Sequence, residues 1–111
     1  MYALEGIKKA IKSEKNIKID IVVAILVIIA AVVLNINTFE WIICIILIGG
    51  VISAEMINTA IEAVVDLYTR QKQELAAKAK DIAAGAVLIK AIISATIGGV
   101  IFIPKIIGML K

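Results

Sequence analysis

The sequence contains no histidine and only one cysteine, Cys44, among its 111 residues. The absence of histidine removes the commonest proton-transfer side chain and most zinc chemistry. A lone cysteine has no partner for an intramolecular disulfide, and in an apolar segment it usually behaves as a small hydrophobic residue. The sequence also has no GxxxxGK[ST] motif, so a nucleotide site of the P-loop type is excluded.

Apolar residues, by contrast, make up 62% of the chain, and the mean hydropathy is +1.07. A soluble domain contains about half apolar residues. The excess lies in three runs, which we expect to be transmembrane helices at residues 18–36, 41–66 and 81–104, since a span needs about 20 residues. A soluble protein with three unusually apolar core helices is the alternative. The sequence favours a single all-α membrane domain, residues 1–111.

Basic residues are distributed unevenly around these runs. Five lie before or at the start of the first run, four lie between the second and the third, and the connector "NINTFE" has none. These nine residues are Lys8, Lys9, Lys12, Lys15, Lys18, Arg70, Lys72, Lys78 and Lys80. The positive-inside rule then places the N-terminus and the second connector on the cytoplasmic side of the plasma membrane. The net charge of +3 is therefore a topology signal and does not indicate nucleic-acid binding.

The N-terminal segment predicts an amphipathic surface helix over residues 2–14. Leu4, Ile7 and Ile11 fall on one side of a helical wheel, and lysines occupy the adjoining arc. Such a helix lies along the headgroups, where lysines meet anionic lipid. A frayed basic tail is the alternative, because the segment is short.

The second run carries polar residues inside its apolar sequence. Glu55, Asn58, Glu62 and Asp66 are spaced three, four and four residues apart, so they share one face of a helix. If Trp41 marks the outer interface, Glu55 lies about 21 Å further in and Glu62 about 31 Å. Glu62 and Asp66 are then expected at the cytoplasmic headgroups, with Glu55 just inside the hydrocarbon. An ionisable group at that depth is normally functional or paired.

Other polar groups are expected at the same height. Glu14 precedes the first span, and Lys80 and Asp81 open the third, where free backbone N–H groups attract anions. Carboxylates suit Mg²⁺, while lysine and a helix N-terminus suit phosphates. A deeper carboxylate can accept a proton from a lipid hydroxyl. Residue spacing alone leaves three alternatives open: phosphoryl transfer to a lipid alcohol, a cation-coupled transporter using Glu55, and a structural pair of Glu55 with Lys90.

Two sequence stretches narrow this choice. "AEMINTAIEAVVD" and "AAKAKDIAAGAVLI" closely resemble E-x-x-N-[ST]-A-[IL]-E-x-x-x-D and [AG]-K-D-x-[AG]-[AS]-[AG]-A-V-L, the signature of the prokaryotic diacylglycerol kinase and undecaprenol kinase family. The upstream "KSEKNIKID" resembles a further segment of that family. The likeness covers nearly the whole chain and is specific over residues 54–89. It implies a homotrimer of three-span protomers, with an N-terminal surface helix on each and active sites between neighbouring subunits.

The resemblance also implies roles for individual residues. Glu55 is the general base on the lipid hydroxyl, and Asn58 orients the reacting groups. Glu14 and Glu62 hold the divalent metal, Mg²⁺, that bridges the phosphates of ATP. Lys80 contacts those phosphates and Asp81 the nucleoside. Weaker correspondences assign four further residues to the nucleotide site, which are Tyr2, Gln71, Lys72 and Gln73.

Three other residues bear on the site without a role implied by the resemblance. Asp66 recurs in the motif, and helix-end electrostatics is the only role we expect for it. Asp20 replaces the histidine or glutamate common in relatives. Lys90 stands where small or apolar residues are usual, and we expect it to pair with a buried carboxylate or extend to the interface.

The substrate is predicted from the resemblance alone. The "EKNIKID" segment and the Lys/Ile-rich composition favour the Gram-positive branch of the family, whose members phosphorylate undecaprenol. The alternative is diacylglycerol, phosphorylated to phosphatidic acid by the other branch. Both lipids present one primary hydroxyl at the headgroup boundary.

Overall fold

The computed structural model describes residues 2–69, 71 and 73–111. These residues form four helices, which are α1 (Tyr2–Ser13), α2 (Lys15–Val33), α3 (Thr38–Tyr68) and α4 (Glu74–Leu110). The last three have 19, 31 and 37 residues and are long and apolar enough to cross a membrane. The prediction of an all-α chain with three such helices is confirmed. A helix, α1, also occupies the segment predicted as a surface helix, but its position on a membrane stays a prediction.

The helices α3 and α4 extend past the predicted spans. Helix α4 begins at Glu74 rather than near residue 81, and it continues through Pro104 to Leu110. Its first residues, "ELAAKAK", are mostly strong helix formers, so the helix forms before the apolar run begins. Only residues 69–73 are left to connect α3 with α4. Hydropathy therefore locates the apolar part of each helix but not the ends of the helix.

Helix α2 ends in a Schellman motif. Asn35 adopts a positive φ of 54°, a conformation that asparagine tolerates better than most residues. Its N–H donates to the carbonyl oxygen of Val32, and the Ile36 N–H donates to that of Ala31, both at 3.2 Å. Ile36 is buried against Ala31, which supplies the apolar contact usual in this motif. The chain thus reverses within residues 34–37.

Helix α3 starts with a capping box. The backbone N–H of Glu40 donates to Asn37 Oδ1 at 2.9 Å, and the Asn37 N–H donates to Glu40 Oε1 at 3.0 Å. Two N–H groups that a helix start leaves unpaired are thereby satisfied. Glu40 Oε1 also forms an ion pair with Lys105 Nζ at 3.2 Å, so the start of α3 is fixed to the end of α4.

Helices α3 and α4 form an antiparallel hairpin with an ion pair at each end. Lys105 pairs with Glu40 at the end near the α2–α3 turn, and Lys80 pairs with Asp66 at the connector end, beside residues 69–73. Glu40 and Asp66 are 26 positions apart in the sequence, and Lys80 and Lys105 are 25 positions apart. At about 1.5 Å per residue the two helices stay in register over roughly 38 Å.

A small core lies at the α2–α3 turn. Its buried members are Ala31, Ile36, Cys44 and Ile101. Cys44 therefore has the buried, apolar setting expected for it. Many large apolar side chains along α2, α3 and α4 remain exposed on the single chain, as expected of helices whose solvent is lipid or another protein chain.

Candidate functional site

The polar face of α3 is the most buried polar surface among the described residues. Glu55 and Asn58 are only 7% and 8% exposed. Glu62 and Asp66 follow on the same face toward the connector end and are half-buried. The face expected from residue spacing is thus present, and its two deepest members are shielded by the protein itself.

Asn58 connects the buried part of this face, at Glu55, to its half-buried end at Glu62 and Asp66, which we call the rim. Its Nδ2 donates to Glu62 Oε1 at 3.2 Å, which fixes the orientation of both side chains. Its other polar atom, Oδ1, is buried and has no hydrogen-bond partner within the described part of the chain. A buried amide oxygen without a donor is costly, so this atom is suited to accept a hydrogen bond from a bound group.

Helix α2 supplies two polar neighbours of Glu55. The side-chain amide of Asn16 approaches the Glu55 carboxyl group, as does that of Asn58 on α3, and the Asp20 carboxyl group is close enough to interact with it electrostatically. The sequence had marked Asp20 only as a departure from relatives. Its position between Ile19 and Ile21 shows an acidic residue inside an apolar run. Its proximity to Glu55, however, depends on how α2 packs on α3.

A cavity of about 390 Å³ lies beside Asp20, between α2, α3 and α4. Its walls are almost entirely apolar side chains of the three helices, and it runs along α4 past Ser94 to Phe102. Two polar atoms within it, Asp20 Oδ2 and Ser94 Oγ, are shielded and lack a hydrogen-bond partner among the residues described. The cavity therefore suits a long apolar molecule that carries a hydrogen-bond donor at the Asp20 end.

Asp66 has a partner that the sequence did not reveal. Its Oδ1 forms an ion pair with Lys80 Nζ at 2.5 Å. The contact brings the lysine predicted to bind phosphates to the rim of the α3 polar face, one turn from Glu62. Helix-end electrostatics was the only role expected for Asp66. The structure adds an ion pair with a specific residue of the neighbouring helix.

The expectation of a helix N-terminus at Lys80 and Asp81 is wrong. Because α4 begins at Glu74, both residues lie beyond its first turn, where backbone N–H groups are bonded within the helix. Any anion binding there depends on the Lys80 side chain and not on free backbone donors. Asp81 itself is exposed.

Glu14 lies between α1 and α2 in extended conformation, with φ −108° and ψ 117°, and its side chain makes no capping hydrogen bond to α2. Among residues 2–69, 71 and 73–111, no group of three or more cysteine or acidic side chains is placed to hold a metal. The predicted pair, Glu14 and Glu62, offers two carboxylates. Mg²⁺ typically takes one or two protein carboxylates together with substrate phosphates, so the donor chemistry fits, and the pair stays a prediction.

Three of the four remaining residues predicted for the nucleotide site are described by the structure, and all three are exposed in the single chain. Tyr2 is 95% exposed. Gln71 and Gln73 are also exposed, and the Gln71 N–H donates to Thr69 Oγ1 at 3.1 Å. Lys72 lies outside the described residues. These four residues stay predictions.

Lys90 contacts α3 at a glycine. Its Nζ lies 3.2 Å from the position that a Cβ on Gly50 would occupy, so the missing side chain leaves room for the ammonium group. The ion pairs found in the described residues join Lys80 to Asp66 and Lys105 to Glu40, and none joins Lys90 to Glu55. The alternative of a structural Glu55–Lys90 pair therefore has no support.

The site can be compared with known proteins. The family model for prokaryotic diacylglycerol kinase matches residues 1–102. Undecaprenol kinase from Bacillus subtilis (strain 168) is 42% identical over 106 residues, which cover 96% of this chain and 86% of the relative. Diacylglycerol kinase from Synechocystis sp. is 36% identical over 110 residues, covering 98% and 63%. Diacylglycerol kinase from Haemophilus influenzae is 31% identical over 102 residues, covering 91% and 86%. The chain belongs to the prokaryotic diacylglycerol kinase family and is a membrane lipid kinase.

Proposed function

We propose that this protein transfers the γ-phosphate of ATP to the hydroxyl group of undecaprenol at the cytoplasmic face of the plasma membrane. The observation that carries the proposal is the burial of Glu55 close to Asp20, which lines one end of an apolar cavity. The half-buried Glu62 lies two turns of α3 away. A lipid hydroxyl would then reach Glu55 from the membrane side, and a soluble nucleotide would reach Glu62 from the other side.

The acceptor lipid would lie in the cavity between α2, α3 and α4. The apolar walls suit its tail, and Asp20 would lie at the end of the cavity that receives its hydroxyl group. Because the Asp20 and Glu55 carboxyl groups are close enough to interact, a hydroxyl group at that end would be near Glu55. Its single O–H would donate to Glu55, and Asp20 would only line the end of the cavity.

Glu55 would then act as the general base. As the lipid oxygen attacks the γ-phosphorus, its proton moves to the Glu55 carboxylate, and the bond from that phosphorus to the bridging oxygen of the departing ADP breaks. The shielded Asn58 Oδ1 would accept a hydrogen bond from a group in the site. Its amide holds Glu62 in place at the same time. Phosphoryl transfer depends mainly on such positioning and on neutralisation of charge.

The nucleotide would bind at the rim of the α3 polar face. Glu14 and Glu62 would hold Mg²⁺, which neutralises phosphate charge when bound. Lys80 would donate hydrogen bonds to the phosphates, and Asp81 would contact the nucleoside. Tyr2 and the segment 71–73 would approach the nucleotide.

The proposed assembly is a homotrimer with active sites between subunits. Two features of the single chain support it. Large apolar side chains remain exposed on every long helix, and Tyr2 is almost fully exposed instead of lying against the α3 face. A neighbouring copy would cover the exposed apolar side chains, and its α1 would bring Tyr2 to the nucleotide site of this chain.

Undecaprenol is favoured over diacylglycerol by similarity. The Bacillus subtilis undecaprenol kinase is 42% identical to this chain, against 36% and 31% for the diacylglycerol kinases of Synechocystis and Haemophilus. Diacylglycerol is the alternative acceptor. The family membership gives no support to the transporter alternative.

We expect purified protein in detergent to phosphorylate undecaprenol with Mg²⁺ and labelled ATP, with a larger kcat/KM than for diacylglycerol under the same conditions. The measurement is radiolabel in each extracted lipid, with both lipids also offered together in competition. A preference for diacylglycerol would overturn the substrate assignment. Transfer to neither lipid would overturn the proposed function.

A further inference from the structure

We propose that Asp66 is a positioning residue for the nucleotide. Its carboxylate holds the Lys80 ammonium group so that the remaining N–H donors are presented to the nucleotide phosphates. The inference rests on the phosphate-binding role proposed above for Lys80.

The geometry of the pair leaves the lysine able to bind a second anion. Lysine has three N–H donors, and the contact with Asp66 Oδ1 at 2.5 Å uses one of them. The side chains of Lys80 and Asp66 are 39% and 44% exposed, so a soluble ligand can reach them. Asp66 therefore fixes the ammonium group without enclosing it.

The pair lies close along α3 to Glu62, a residue of the proposed metal site. Asp66 lies one helical turn beyond Glu62 on the same face of α3, whereas Lys80 comes from α4. Without Asp66 the four-carbon stem of Lys80 would sample many rotamers, and binding phosphate would have to suppress that freedom. With Asp66 the ammonium group is already held at Asp66, one helical turn along α3 from Glu62, before the nucleotide arrives.

The ion pair could alternatively serve only to close the α3–α4 hairpin. The opposite end of this hairpin has an ion pair of that kind, between Lys105 and Glu40, far from the proposed nucleotide site. The two possibilities differ in what they predict. A structural clamp affects thermal stability, whereas a positioning residue affects the affinity for Mg-ATP and acts only while Lys80 is present.

The test is the substitution Asp66→Asn in the full chain, with the dissociation constant for Mg-ATP measured by equilibrium dialysis. We expect the dissociation constant and the KM for ATP to rise about tenfold, the scale of one charged hydrogen bond, and kcat to change much less. Asp66→Glu should recover part of the affinity. Glu74→Gln removes an exposed carboxylate from the first turn of α4 and should leave both values unchanged.

A double substitution shows whether Asp66 acts through Lys80. In a Lys80→Met background, Asp66→Asn should cause no further loss of Mg-ATP affinity. Equal losses with and without Lys80 would overturn the inference, as would tighter binding in Asp66→Asn, or unchanged affinity with a lower thermal midpoint. Because dialysis needs no lipid acceptor, these outcomes remain readable if the wild-type protein phosphorylates neither lipid, which would overturn only the proposed function.

Discussion

Glu55→Gln should lower phosphoryl transfer to undecaprenol by about 10²- to 10⁴-fold, the usual contribution of a general base. Glutamine has nearly the shape of glutamate and can still meet Asn16 and Asn58, but it cannot accept a proton. The affinity for Mg-ATP should stay close to that of the wild type, since Glu55 lies two turns away from Glu62. The measurements are radiolabel transfer and Mg-ATP dialysis on the same preparation.

Two controls separate catalysis from assembly for this substitution. Glu74→Gln makes the same chemical change at an exposed position and should retain full activity. Light scattering should give Glu55→Gln the mass of the wild-type protein, which we expect to be three times the 11.9 kDa of the chain. Activity within a few-fold of wild type would contradict the role of Glu55 as base. Loss of assembly would indicate a structural role instead.

Glu62→Gln should raise the Mg²⁺ concentration needed for half-maximal activity by at least about tenfold. The substitution removes a charged metal ligand, yet its side-chain oxygen can still accept the hydrogen bond that Asn58 Nδ2 donates to Glu62 Oε1. The local packing should therefore survive. The measurement is initial rate against Mg²⁺ concentration at fixed ATP.

The control for this experiment is again Glu74→Gln, which should follow the wild-type Mg²⁺ curve. A second comparison is Glu62→Ala, which removes the partner of Asn58 as well and should lower the thermal midpoint further than Glu62→Gln does. If Glu62→Gln shows an unaltered Mg²⁺ requirement, Glu62 is not a metal ligand.

Much of the architecture could be predicted because it depends on local sequence. Three apolar runs specify three long helices, and the spacing of Glu55, Asn58, Glu62 and Asp66 puts them on one face of a helix wherever that helix packs. Both features need only the period of an α-helix and the length of a membrane span. The signature motif then indicated the family, which the comparisons confirm.

The contacts of the site could not be predicted in the same way, because they depend on how helices pack. Asp20 meets Glu55 only through the rotation of α2 against α3, which no residue spacing specifies. Lys80 reaches Asp66 because the connector at residues 69–73 is short, and that in turn follows from helix formation over "ELAAKAK" ahead of the apolar run. The apolar run alone indicates a helix start near residue 81, which would leave Lys80 in the connector and hide its contact with Asp66.

The proposed reaction requires the polar face of α3 to cross the cytoplasmic boundary of the membrane. Spin labels at Ile57 and Val64, exposed positions beside Glu55 and Glu62, test it most directly in vesicles, with Cys44 replaced by alanine. The labels should differ in depth by about 10 Å. The label at residue 64 should meet water-soluble relaxants added to the cytoplasmic side, and the label at 57 should lie just within the hydrocarbon. A label at 57 in the bilayer centre, or one at 64 reached only from the outer side, would contradict the account.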